Sequence, residues 1–348
     1  MKFTTTLLAL LANSLSSLTS ATPFLAPRAG NQTLPSKTIF QFNETGTWFE
    51  NLSVRPNGDL VLTSLQPSAQ LWTLKAPWSP HPQISLVHTF EGGKPGLVGI
   101  AETKPDVFVV IGAEFKGEGD PVPGTFAVYE VAFHQHYGGA ENATMTRKIT
   151  DFPEAKLAGG VAPVPESGNT VVLIGDSYAG SLWRLDTVTG KYESVLAIAQ
   201  MAAPAGAALP FGINGVKVRD GYVYWSNSAL VSLYRAKIDE KGYPVANATV
   251  EKIATLDSDF VDDFAFDEQG MIWAATNGDN KVDIVRPNGV FETVVGGATS
   301  DTVGGDSAVA MGRTRADRNT VYVTTTGTLP GNRTEPAKVV AINRAGFR

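Results

Sequence analysis

The chain has 348 residues, 43% of them hydrophobic and 18% charged, with 35 glycines and 21 prolines; this mixture suits a folded, turn-rich β protein and excludes a coiled coil or a disordered chain. Its formal net charge is −6 with no extended basic run, so the cationic surface that nucleic acid requires is missing. Cysteine is absent, which excludes disulfides, thiolate metal sites and a cysteine nucleophile.

The N-terminus joins one positive charge in Met1-Lys2-Phe3 to an apolar run around Leu7 to Leu11, then to small residues ending at Thr19-Ser20-Ala21. This pattern predicts a secretory signal peptide over 1–21, a flexible segment over 22–36 and one domain over 37–348. No later stretch is long enough to span a bilayer. Asn-x-Ser/Thr sequons begin at Asn31, Asn43, Asn51, Asn142, Asn247 and Asn332. They predict a glycoprotein, secreted or held in the lumen of the secretory pathway, with Asn51 the least favoured attachment site.

In chain order, Lys37 to Phe42 reads as an outer strand preceding the first repeat. Six repeats of a short apolar strand, a turn, a second strand and a third strand then follow. First strands start at Glu50, Gly96, Gly159, Asn214, Asp262 and Asp306, roughly 45 to 63 residues apart, as in propellers with insertions. Second strands fall at Asp59–Leu62, Val107–Val110, Thr170–Leu173, Tyr222–Trp225, Met271–Ala274 and Thr320–Val323, rich in β-branched and aromatic residues. Third strands such as Gln70–Leu74, Ser181–Leu185 and Ser232–Arg235 alternate apolar and polar residues, and fourth strands such as Glu193–Leu196 and Glu292–Val295 lead into the next repeat. The fold predicted is all-β, a six-bladed β-propeller, closed by pairing Lys37–Phe42 with Lys338–Ile342 so that no sheet edge stays open.

In such a blade the start of the first strand and the end of the second lie at one mouth of the channel. Glu50, Gly96, Gly159, Asn214, Asp262 and Asp306 therefore ring one opening. The insertions Ala113–Thr125, His134–Leu157, Ala199–Phe211 and Gly327–Ala337 are expected around it as loops on a rigid scaffold. Trp48 and Phe211 precede mouth positions and are candidate substrate contacts. Asp176 and Tyr178, in the turn after a second strand, join them, as does Asp306. Trp72, Trp183 and Trp273 recur at blade positions and read as packing between blades.

Trp48-Phe49-Glu50-Asn51-Leu52, Phe211-Gly212-Ile213-Asn214-Gly215 and Val261-Asp262-Asp263-Phe264 make the chain similar to the regucalcin and gluconolactonase-like six-bladed propellers. In that family a Glu, two Asn and an Asp bind a divalent cation, and the Asp is the base in lactone hydrolysis. The resemblance implies Glu50, Asn214 and Asp262 as three of these ligands. The fourth position is Gly159, which has no side chain to offer, and this argues against metal-dependent lactonase activity.

The Trp-Phe-Glu-Asn-Leu start, the leader, the sequons and the missing cysteines also resemble secreted fungal propellers of secondary metabolism. These include hetero-Diels-Alderases that join a tropolone quinone methide to a humulene-type alcohol. The resemblance implies a pericyclase with apolar small-molecule substrates. Such an enzyme needs no nucleophile and no cofactor, though a divalent cation is compatible with the carboxylates, and it works by holding two partners in reactive geometry. Glu50, Asn214 and Asp262 are its candidate catalytic residues. The competing readings are a secreted metal-dependent lactonase and a non-catalytic binding propeller. Ile174-Gly175-Asp176-Ser177 imitates a hydrolase nucleophile block, but no histidine follows His136 to serve as its base. His134 and His136 have a metal-binding spacing without a third ligand nearby.

Overall fold

The structure, a computed structural model, describes residues 33–91, 95–117, 119–134 and 143–347. The leader over 1–21, the sequons at Asn31 and Asn142, and His136 lie outside the described residues. From Gln32 onward the chain forms one compact unit. Six antiparallel sheets, each with four strands along its main path, form a six-bladed β-propeller. Blade 1 runs Trp48–Val54, Leu60–Gln66, Gln70–Lys75 and Gln83–Thr89, and blade 2 runs Pro95–Lys104, Val107–Lys116, Ala127–His134 and Ala143–Asp151. Blade 3 is Ala158–Pro163, Val171–Asp176, Ser181–Asp186 and Tyr192–Ala197, and blade 4 is Ile213–Arg219, Tyr222–Asn227, Ser232–Lys237 and Glu251–Thr255. Phe264–Phe266, Ile272–Ala275, Lys281–Val285 and Phe291–Gly296 make blade 5. Blade 6 takes Asp306–Met311, Thr320–Thr325 and Lys338–Asn343 from the C-terminus and Ser36–Gln41 as its outer strand.

The ring therefore closes as expected, with Lys37 opposite Ala341 and Gln41 opposite Lys338. One boundary differs. The flexible segment expected over 22–36 does not extend to Leu34, which is buried between blades 5 and 6, with its N–H donating to the Val294 carbonyl at 2.7 Å. An apolar side chain seated in a core and a satisfied backbone donor hold that end down. The insertion at His134–Leu157 also differs. Nine of its residues, Ala143–Asp151, form the fourth strand of blade 2, so among the described residues only the stretch leading to Leu157 reaches the expected mouth.

Inner and second strands carry the core because they are covered on both faces by neighbouring blades. Leu60, Leu62, Val109, Val172, Leu173, Trp225, Trp273 and Val323 are all fully buried. At roughly 1.5–3 kcal/mol for each large apolar side chain removed from water, these layers hold the ring together without cross-links. Of the recurrent tryptophans, Trp273 is buried between blades 5 and 6, while Trp72 and Trp183 are partly buried against their own clusters.

The channel is pinched where inner strands touch. A Cβ on Gly160 would stand 2.0 Å from the Asn214 carbonyl oxygen, and one on Gly99 would stand 1.9 Å from that of Gly159. Only glycine permits backbones to approach so closely. On one side of this waist is a cavity of about 380 Å³, and on the other is one of about 320 Å³ lined by the far ends of the same strands.

Candidate active site

The larger cavity opens at the mouth marked by the first-strand starts. Its walls are Trp48, Phe115, Tyr178, Phe211 and Phe260 together with Leu65, Val98, Leu157 and Leu209. Phe211 links two of these rings, with its centroid 5.3 Å from Tyr178 and 5.7 Å from Phe260 in an edge contact. The floor is polar and comes from Glu50, Gly159, Asn214, Asp262 and Asn277.

The floor groups hold one another. Asp262 is almost wholly buried, and its two oxygens each accept an amide N–H at 2.9 Å, one from Asn214 and one from Asn277. The Asn214 amide also donates to the Ser228 hydroxyl at 3.0 Å, and that hydroxyl donates to the Val261 carbonyl. Glu50 accepts the indole N–H of Trp48 at 2.6 Å through one oxygen. Removal from water pushes the Glu50 carboxyl up to about 7, opposed by the Trp48 bond and reinforced by the charge of Asp263. Burial, and then the charge of Glu50, holds Asp262 well above the carboxylate range. Two carboxyls that both resist ionisation keep a proton in the floor toward neutral pH.

Beneath this floor the next residue of each strand faces the other way. Asp263 takes the Lys217 ammonium at 2.6 Å and the Asn51 amide at 2.9 Å. This layer separates the two cavities. It also occupies Asn51, whose buried amide is engaged in the core, whereas Asn43, Asn247 and Asn332 are exposed.

A resident divalent cation does not fit these donors. Both Asp262 oxygens and one Glu50 oxygen already accept N–H groups, Asn214 turns its NH₂ to the carboxylate, and at Gly159 a Cβ would meet nothing within 4 Å. Among the described residues no group of three or more His, Cys, Asp or Glu is arranged to hold a metal. Calcium asks for six to eight oxygens, and three of the floor's four carboxylate oxygens are already committed to N–H donors.

Of the candidates read from sequence, Glu50, Asn214, Asp262, Trp48, Phe211 and Tyr178 meet in the cavity. Asp176 and Asp306 do not line it. Asp176 is buried and accepts the backbone N–H groups of Lys156, Leu157 and Ala179, which makes it the anchor of the turn that presents Tyr178. Asp306 is fully buried, accepts the Thr276 N–H at 2.9 Å and is pushed well above its ordinary pKa by burial. Ser177 lines the cavity but donates its hydroxyl to the Ile213 carbonyl, and no histidine accompanies it there. Asn277, Phe115 and Phe260 went unread in the sequence. Asn277 was within reach of the rule already used, because it follows the end of a second strand as Asp176 does.

Fold and cavity together define a six-bladed propeller with a small-molecule chamber at one mouth. The chain belongs to the hetero-Diels-Alderase family: it is 36% identical over 323 residues to a protein from Phoma sp described as "Putative hetero-Diels-Alderase", covering 86% of this chain and 89% of the relative. A relative of the same description from Sarocladium schorii is 33% identical over 319 residues, covering 84% of this chain and 78% of the relative. No protein-family model matches. Among solved structures, a luciferin-regenerating enzyme superposes with a TM-score of 0.61 at 13% identity, covering 90% of this chain and 96% of its own. A regucalcin from Agrobacterium tumefaciens gives 0.54 at 14%, covering 90% and 95%. These two share the fold.

Proposed function

We propose that the protein catalyses an intermolecular, inverse-electron-demand hetero-Diels-Alder cycloaddition. Its partners are an o-quinone methide, of which a tropolone example is the type we favour, and an apolar cyclic alkene such as a humulene-type alcohol. The observation that carries this reading is the chamber itself: aromatic walls around a floor whose Glu50 carboxyl keeps its proton to about 7. In the reaction one C–C and one C–O bond form while the carbonyl oxygen of the oxadiene becomes an ether oxygen. No atom is lost, and no nucleophile or base is needed.

Glu50 uses one oxygen to accept the Trp48 N–H. Its protonated carboxyl is then free to donate to the oxadiene oxygen, where negative charge grows as the alkene delivers electron density. Magnitudes rank the contributions. Holding two partners in reactive geometry supplies up to roughly 7–11 kcal/mol, whereas one hydrogen bond contributes about 1 kcal/mol. The walls therefore carry most of the rate and the floor sets polarity and orientation.

The purified protein, given an o-quinone methide precursor and a cyclic polyene alcohol, should raise the adduct's rate of formation and its enantiomeric excess above the background. Equal rate and selectivity without protein would refute the reading. On the leader and sequons we further infer passage through the secretory pathway; a mobility shift after endoglycosidase treatment of protein from a fungal host supports this, and its absence counts against it.

A further inference from the structure

We propose that Asp120 and Asp259 act as a charge filter at the chamber's rim, admitting neutral or cationic apolar molecules and turning away anionic ones. This rests on the chamber being the substrate site. Its described lining holds four carboxyls, from Glu50, Asp120, Asp259 and Asp262, and no Lys, Arg or His. The two on the floor are buried (Asp262) or partly buried (Glu50) and hydrogen-bonded to neighbours. The two on the rim are exposed, and their oxygens accept no hydrogen bond and form no ion pair among the described residues.

Both rim residues are held in place by their backbones. Asp120 sits in a tight hairpin opposite Lys116, next to Pro121 opposite Phe115. Lys116 lies outside the lining and makes no ion pair with Asp120. The loop of Asp259 is clamped where the Asp259 N–H and the Ser258 hydroxyl both donate to Asp279. Aromatic Tyr178, Phe211 and Phe260 lie in the same lining. Charges of one sign at the mouth of a low-dielectric cleft focus their field into it, and the quadrupoles of exposed ring faces act in the same sense, favouring cations. An organic anion entering the chamber meets repulsion with no counter-charge to receive it. Substrates therefore arrive without negative charge, and any carboxylate or diphosphate they bore during synthesis has already been removed by a decarboxylation, hydrolysis or ionisation step.

The test is calorimetric binding, without turnover, of three ligands that share one apolar body: 2-naphthylmethanol, 2-naphthoate and 2-naphthylmethylammonium. The alcohol and the ammonium should bind, and the carboxylate should bind at least about tenfold more weakly. Raising NaCl to 0.5 M should shrink that ratio, because exposed charges are screened. Asp120→Asn/Asp259→Asn should bring the carboxylate to within about threefold of the alcohol, while Glu50→Gln retains most of the discrimination. Equal binding of alcohol and carboxylate by the unaltered protein, or discrimination abolished only by Glu50→Gln, overturns the filter. The salt series decides the matter on unaltered protein if the double variant does not fold. Failure of all three to bind overturns the filter together with the reading of the chamber as a substrate site; binding with discrimination but no cycloaddition leaves the filter standing and removes only the proposed reaction.

Discussion

Glu50 and Asp262 stand side by side and invite opposite substitutions. Glu50→Gln keeps an acceptor for the Trp48 indole and places an N–H donor where the protonated carboxyl stood, so part of the rate should survive. What should vanish is the pH dependence: in the unaltered protein turnover falls as pH rises through about 7, when the donor is lost. Glu50→Leu, with no donor, should lose rate at every pH. Stability follows from the same proton. Because the folded-state value lies above 4.5, the folded chain binds more protons than the unfolded one between 4.5 and about 7, and its stability declines as pH rises across that window. Glu50→Gln should flatten this decline and melt higher than the unaltered protein above pH 7. Asp262→Asn instead points an NH₂ at one of two amide donors, so melting should fall by the equivalent of about 1–3 kcal/mol for an unsatisfied buried group. Turnover should drop about tenfold, whereas a hydrolase using Asp262 as its base would lose nearly all of it. Trp48→Ala or Phe211→Ala should cost more in rate, roughly a hundredfold, with eroded stereoselectivity, since a misplacement near 1 Å is enough for that.

Within the inner strand of blade 3, neighbouring glycines differ in kind. Gly160→Ala forces a Cβ against the Asn214 carbonyl oxygen and should lower stability by about 1–3 kcal/mol or more as the inner strands part. Gly159→Ala meets open space; its melting point should barely move, while the filled floor slows the reaction. Thermal melts and product analysis on the pair check this contrast. The strands were legible in the sequence because period-two alternation and Gly, Asn or Asp turns repeat with each blade; register placed Glu50, Asn214 and Asp262 at the mouth, and the family resemblance singled them out from the other strand starts. Asp176 and Asp306 misled because a carboxylate at a strand end can serve ligand or backbone equally, and only folding shows that backbone N–H groups had claimed both. Phe260 stood unread because the loop that aims it takes a path set by contacts such as the Asp279 clamp, and Phe115 because that second strand, read as ending at Val110, runs on to Lys116.

At the scale of the ring, closure rests on one outer strand from the opposite end of the chain. Deleting residues through Gln41 should bare the edge of Lys338–Asn343 and strip Ile39 and Phe40 from their packing, giving a lower melting temperature and concentration-dependent aggregation in light scattering. The glycine waist and the Lys217–Asp263–Asn51 layer have another outcome, for traffic. They close the chamber toward the far cavity, so under the proposed reaction both reactants and the adduct use the mouth. The adduct is bulkier than either partner and carries the apolar surface of both, so it leaves more slowly than they arrive. Under the proposed reaction, catalysis in such a room should be paced by the exit: a fast first turnover, later ones that wait for the door to clear, and a product that competes with its own precursors for the threshold, as pre-steady-state kinetics would show.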